Sequence, residues 1–211
     1  MIKGIIFDLD GVIVSTDDLH FMAWQRIATQ ENIHFDRTIN HQLRGVSRME
    51  SLEIILSRAT KIYTEEEKQI LAKTKNDYYV SLLDQLSQKD ILPSVVSTLE
   101  WLKKSGFKIA IGSSSKNAKT ILKKIGLFDL FDNITDGNDI TNSKPHPEVF
   151  IKAGIGLGLF SHECAVVEDA EAGIDAAKAA SMFAFGIGPA SHYSKTDYAI
   201  TFLDEIKRQL S

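Results

Sequence analysis

Apolar residues along this chain fall into short continuous runs, separated by longer stretches in which they recur every three or four positions. A strand covered on both faces shows no polar alternation, so five of the runs read as buried parallel strands. They are Ile2 to Leu9, Phe107 to Gly112, Asn133 to Thr135, Cys164 to Val167 and Met182 to Ile187. Helical spacing occupies Val95 to Lys104, Ala118 to Ile125, Glu148 to Leu157 and Ala172 to Ala180. From Phe107 onward strands and helices alternate, the pattern of a doubly wound, mostly parallel, Rossmann-like α/β sheet.

The interval between the first two strands breaks this rhythm. From Gly11 to Phe107 it is roughly three times the length of a βαβ unit, and most of it is helical in pattern. Asp17 to Gln30 places Leu19, Met22, Ala23 and Ile27 on one face, and Ser51 to Ala59 does the same with Leu52, Ile55, Leu56 and Ala59. Thr64 followed by Glu65, Glu66 and Glu67 reads as an N-cap with an acidic first turn, opening a long helix through Leu83. The expected organisation is an α/β core of residues 1–14 and 92–211 with an α-helical cap domain, 15–91, inserted after the first strand. The run Gly154-Ile155-Gly156-Leu157-Gly158 has the look of a dinucleotide loop, but it lies in a helical pattern instead of after a strand and reads as a frayed helix end.

Composition narrows the function classes. The 211 residues include 24 basic and 28 acidic side chains, a net charge of -4, so there is no global drive toward nucleic acid or an anionic membrane. Residues 15–91 carry 10 basic and 12 acidic side chains, so the insertion is no polybasic module either. The single cysteine, Cys164, excludes an internal disulfide framework and fits a reducing compartment. No apolar stretch approaches the ~18 residues of a membrane span, and Asp8 and Asp10 interrupt the apolar start before any leader pattern develops. A monomeric cytoplasmic protein is expected, with any anionic ligand gripped by a local cluster.

Four short motifs at the ends of these strands carry candidate chemistry. In Asp8-Leu9-Asp10-Gly11, two carboxylates two residues apart follow a buried strand, and both can reach the crevice above the sheet. A single Asp-Gly would serve a turn, whereas two buried acids call for a cation or protons. Glu168-Asp169 ends another strand and adds hard oxygen ligands suited to Mg²⁺; Asp169 alone would serve as a helix N-cap. Ser113-Ser114-Ser115-Lys116-Asn117 follows the second strand and opens a helix, where hydroxyls and free N–H groups make an anion site, or one serine simply caps. Lys144, in Ser143-Lys144-Pro145, follows the third strand and becomes a phosphate or carboxylate partner by its position at the same sheet edge.

Taken in order, Asp-Leu-Asp-Gly-Val, a serine after strand two, Lys-Pro after strand three and Glu-Asp after strand four resemble the four motifs of the haloacid dehalogenase superfamily. The resemblance spans almost the whole chain. It extends to a sugar-phosphate mutase branch through Thr16, His20 and Trp24, through Arg44-Gly45-Val46-Ser47-Arg48, and through Lys75-Asn76-Asp77 with Tyr79. It implies that Asp8 is a nucleophile forming a phosphoaspartate and that Asp10 is the general acid and base. Mg²⁺ would be held by Asp8, the carbonyl of Asp10, and Asp169, with Glu168 in support. Ser113, the Ser114 backbone and Lys144 would hold the transferring phosphoryl group, while Arg48, Ser115, Lys116 and Asn117 hold a second phosphate. Thr16, His20, Trp24, Gly45, Val46, Ser47, Ser51 and Lys75 complete the implied substrate site. The implied activity is interconversion of β-D-glucose 1-phosphate and glucose 6-phosphate, or, as the alternative, hydrolysis of a small sugar phosphate. A receiver-like phosphorylation switch also uses Asp, Ser/Thr and Lys around Mg²⁺, but such domains are much shorter and lack the helical insertion. Ser15 and Ser114 depart from residues common in that branch, and the stretch after Ile187 is short.

Overall fold

The computed structural model describes residues 1–210. Fifteen helices and strands follow in chain order: β1 Gly4–Phe7, α1 Asp17–Gln30, α2 Arg37–His41, α3 Arg48–Leu56, α4 Glu65–Leu82, α5 Val95–Lys104, β2 Lys108–Gly112, α6 Ala118–Lys124, β3 Asn133–Thr135, α7 Glu148–Leu157, β4 Cys164–Glu168, α8 Glu171–Ala179, β5 Phe183–Ile187, β6 Tyr198–Ile200 and α9 Ile206–Leu210. The strands form one parallel sheet in the order β3-β2-β1-β4-β5-β6. Outward from β1 the chain steps first to one side and then to the other, and a crevice opens above the carboxyl ends where the direction reverses.

Strand periodicity distributes the core to both faces of the sheet. Ile5, Phe7, Ile109, Ile111, Ala165 and Val167 point to one side and pack with α5 and α6. Ile6, Ala110, Val166 and Ala184 point to the other and pack with α7 and α8. A third apolar cluster is built from the helices between β1 and β2: Trp24 and Ile27 of α1, Leu52 and Ile55 of α3, and Ala72 of α4. Tyr79, further along α4, belongs instead to the first cluster, which also holds Val12, Ile13 and Val14. The chain leaves and re-enters the sheet layer side by side, with Val14 bridged to Ile91 and the Leu92 N–H donating to the Ile13 carbonyl at 3.0 Å.

Most elements lie where the apolar pattern puts them, and the exceptions have local causes. α3 starts at Arg48, three residues before the expected Ser51, because Ser47 and Glu50 form a reciprocal capping box. α2 and α9, of five residues each, and β6, of three, are too short to show a period and were not expected. The 154–158 glycine run is no frayed end: α7 stays regular through Leu157 and stops at Gly158 in the left-handed conformation, φ 68°. No helix among the described residues is long and apolar enough to cross a membrane.

Candidate active site

Parallel register brings the strand-end motifs to one level. Phe7 pairs with Ile111 on one side and Val167 on the other, so the residues after β1, β2 and β4 emerge together. The Asp8 N–H donates to the Val167 carbonyl, and that of Ser113 to the Thr135 carbonyl of β3. Above this edge lies a cavity of about 1110 Å³, walled below by the sheet ends and above by α1, α3, α4 and the Leu43–Ser47 turn. The sequence-derived residues Asp8, Asp10, His20, Trp24, Gly45, Val46, Ser47, Arg48, Ser51, Lys75, Ser113 to Asn117, Lys144 and Asp169 all line it. Thr16 and Glu168 do not; both are buried behind the wall.

Lys144 is 1% exposed and joins two carboxylates, Oδ1 of Asp8 and Oε1 of Glu168, at 2.5 Å each. Burial alone would lower its pKa, but the charges of Asp8 and Glu168 outweigh that and hold it above the ordinary lysine range. Two of the three Lys144 ammonium protons are thus taken by carboxylates, and one is left for an anion. Asp8, Glu168 and Asp169 each place an oxygen within 4.8 Å of the others. One lysine does not balance three acids: burial, followed by the neighbouring charges of Glu168, Asp8 and Asp10, raises the pKa of Asp169, and burial raises that of Glu168 against the pull of Lys144. A compact, buried, all-oxygen donor set with residual negative charge fits a hard divalent cation.

A pH effect follows with a definite sign. In the metal-free protein Glu168 and Asp169 bind protons more tightly folded than unfolded, so their contribution to stability is fully present below the ordinary carboxylate range and is lost as pH rises through the raised values. We expect the melting temperature in a chelator to fall between pH 5 and pH 8, and divalent cation to restore it most at pH 8. Thermal scans with and without the cation check both.

Close packing holds Glu168 in place. A methyl group at Gly173 would lie 1.9 Å from its carboxyl carbon, and that carboxylate is fixed by Lys144 and by the N–H of Ala170. Helix propensity favours Gly173→Ala by about 1 kcal/mol, whereas dislodging one partner of a buried ion pair costs about 3–5 kcal/mol. Gly173→Ala should therefore destabilise the protein by at least about 2 kcal/mol in urea unfolding.

Asp10 is turned toward Thr16. Its Oδ1 accepts from the Thr16 N–H at 2.7 Å and the Thr16 hydroxyl at 2.6 Å, while burial, against those bonds, pushes its pKa up to about 6. A value near neutrality suits a group that both gives and takes a proton. In the loop after β2, the Ser113 hydroxyl accepts from the Ser115 N–H and the Ser115 hydroxyl from the Asn117 N–H, both at 3.2 Å. Each hydroxyl keeps its own proton to donate to an anion. The Ser114 hydroxyl is buried from solvent and has no hydrogen-bond partner among the described residues.

Over the cavity, Lys75 is 2% exposed, hydrogen-bonded to Nδ1 of His20 at 2.8 Å, and 4.7 and 4.6 Å from the centroids of the Trp24 and Tyr79 rings. Burial, then the Arg48 charge, lowers the Lys75 pKa well below normal, and burial, then Lys75, does the same to His20. Arg48 and Lys116 make no ion pair within 4.0 Å among the described residues. Arg44 differs: it is tied to Asp17 at 3.2 Å, and Asp17 also accepts from Asn40. Asn76, which the resemblance includes without a site role, accepts from the Asn117 amide across the cavity at 3.0 Å, while sequence reasoning passed over Asp17 and Asn40. Only their helix-surface spacing marks them in the sequence, and solvated residues share it.

The family model for haloacid dehalogenase-like hydrolases matches residues 2–181, and the chain belongs to this family. Within it, the chain is 42% identical over 210 residues to a β-phosphoglucomutase of Bacillus subtilis (strain 168), covering 99% of this chain and 93% of that protein. A solved structure of β-phosphoglucomutase from Clostridium difficile superposes with a TM-score of 0.92 at 41% identity, covering all of this chain and 95% of that one. A fructose-1-phosphate phosphatase of Escherichia coli (strain K12) is 30% identical over 186 residues, 87% of this chain and 95% of that protein.

Proposed function

We propose that the protein is a β-phosphoglucomutase, interconverting β-D-glucose 1-phosphate and glucose 6-phosphate through a phosphorylated Asp8 and a bound glucose 1,6-bisphosphate. The observation that carries this is the pair of unneutralised cations, Arg48 and Lys116, in the same cavity as the Asp8–Lys144–Glu168 centre. A single-phosphate hydrolase needs one anion site, whereas a bisphosphate needs two. The relatives named above support the same assignment.

In this cycle the phosphoryl group on Asp8 passes to the 6-hydroxyl of glucose 1-phosphate, whose proton Asp10 takes. The bisphosphate turns over in the cavity, and Asp8 attacks the phosphorus at C1. The P–O1 bond breaks, Asp10 returns its proton to O1, and glucose 6-phosphate leaves. Ser113, the Ser114 N–H and Lys144 orient the moving phosphoryl group, while Arg48, Ser115, Lys116 and Asn117 hold the other phosphate. Gly45, Val46, Ser47 and Ser51 line the sugar. A divalent cation, by chemistry Mg²⁺, held by Asp8, Asp169 and the Asp10 carbonyl with Glu168 behind, supplies charge neutralisation of the phosphoryl oxygens when bound. The helices of residues 15–91, with their own apolar cluster and paired connections at Val14 and Ile91, act as a cap that keeps water from phospho-Asp8. The mild net charge of -4 supports a small anionic substrate in the cytoplasm over a polyanionic partner.

Incubation with Mg²⁺, β-glucose 1-phosphate and trace 1,6-bisphosphate should yield glucose 6-phosphate; stoichiometric inorganic phosphate in its place would establish the phosphatase. Arg48→Ala should lower mutase kcat/KM by about 100-fold, the scale of a charged phosphate contact, and leave hydrolysis of small phosphomonoesters within about three-fold. Steady-state rates on both substrates check the split, and equal losses would remove Arg48 from the second phosphate site.

A further inference from the structure

The hydroxyl of Tyr79 is the one polar group of a fully buried ring, 63 residues from the residue it bonds. It lies 3.0 Å from Oγ1 of Thr16, which lies 2.6 Å from Oδ1 of Asp10. Donor accounting fixes the direction of this chain. A threonine hydroxyl has a single proton, and an ionised carboxylate only accepts. The Thr16 proton is thus committed to Asp10, and Tyr79 must be the donor to Thr16. Because the Thr16 N–H points at the same Oδ1 at 2.7 Å, that oxygen faces two donors and has no room for a proton of its own.

Tyr79 is also placed to make this arrangement depend on the helical layer. It is carried by α4, yet its ring is packed in the sheet-side cluster with Val12, Ile13 and Val14, the segment that follows Asp10. The ring also meets His20 at 4.1 Å between centroids, and the Lys75 ammonium nitrogen lies 4.6 Å from its centroid.

We propose that Tyr79 is a positioning residue for the proposed reaction: acting through Thr16, its hydroxyl fixes Oδ1 of Asp10 as the proton-poor oxygen and leaves Oδ2 to exchange the proton with the sugar oxygen. The chain moves no proton itself. It orients the carboxyl group, and it does so only while α4 is seated against the segment after β1. This rests on Asp10 being the acid and base.

The test is a mutant cycle on the full-length protein with Mg²⁺ and β-glucose 1-phosphate. Tyr79→Phe keeps the ring and its packing and removes only the donor; kcat should fall about ten-fold with KM within about two-fold, a fraction of what positioned proton transfer contributes. Thr16→Val should cost about 100-fold in kcat, and Thr16→Ser should recover most of it. Adding Tyr79→Phe to Thr16→Val should change kcat by less than about two-fold, since the hydroxyl has nothing left to act through. Multiplicative losses, or an effect of Tyr79→Phe on KM alone, would overturn the assignment. So would wild-type kcat in Tyr79→Phe alongside an inactive Asp10→Asn. Full turnover in Asp10→Asn would instead remove Asp10 as acid and base, and the role of Tyr79 with it.

Discussion

Asp8→Asn should abolish turnover, lowering kcat by at least about 10⁴-fold, because a carboxamide oxygen is a far weaker nucleophile than a carboxylate. No other residue can take its place. Asp10 is turned toward Thr16, Glu168 is shielded behind the cavity wall on Lys144, and Asp169 lies on the neighbouring strand end with burial holding its charge in check. The fold should tolerate the change: Lys144 keeps Glu168 as a partner, and one of three crowded carboxylates loses its charge. We expect the melting temperature in a chelator to match or exceed that of the wild type. Intact-mass measurement after exposure to the 1,6-bisphosphate should find covalent phosphate on the wild type and none on the variant. Retained turnover, or phosphate on Asp8→Asn, would place the nucleophile elsewhere.

Lys144→Met should destabilise the protein by about 3–5 kcal/mol, the scale of removing one partner of a buried ion pair. Methionine matches the length of the lysine stem but lacks the ammonium that lies 4.7 Å from the Phe150 ring centroid. What is also lost is the cation joining Asp8 to Glu168, at a position 1% exposed. Exposed pairs such as Lys73–Asp77 give the contrast: solvent screens them, and they contribute about 0–1 kcal/mol. Proton uptake by the stranded carboxylates limits the loss at low pH. With Lys144 gone, the raised pKa of Glu168 rises further, so the deficit should be smaller at pH 5.5 than at pH 8. Urea unfolding at the two pH values checks size and sign together. A deficit of less than about 1 kcal/mol at pH 8 would mean that the triad is solvated like a surface pair.

Both expectations concern residues that a reader of the sequence can pick out, and the reason is local. Asp8 and Asp10 announce themselves because two acids interrupt an apolar strand at its end. Glu168-Asp169 does so after Cys-Ala-Val-Val in the same way. Long helices such as α1, α5 and α7 show enough turns for a period to emerge, and their observed bounds match the expected ones. α2 and β6 have too few residues to carry a period, and tertiary contacts hold them: β6 pairs with β5, and Asn40 of α2 reaches Asp17. The start of α3 was misplaced because the first-turn residues Arg48 and Met49 look like the loop before them, while the capping box at Ser47 sets the boundary.

The sequence alone determined the kinds of elements, their order and the chemical types that collect at the strand ends, since propensity, periodicity and capping act over a few residues. The tertiary structure decided how the charges divide. It gave Lys144 to Asp8 and Glu168, across 136 and 24 residues, left Asp169 underbalanced, and freed Arg48 and Lys116. It also put Tyr79 behind Thr16. Coulombic and hydrogen-bond energies depend on separation and on exclusion of water, and both are properties of the packed chain that no spacing along it encodes.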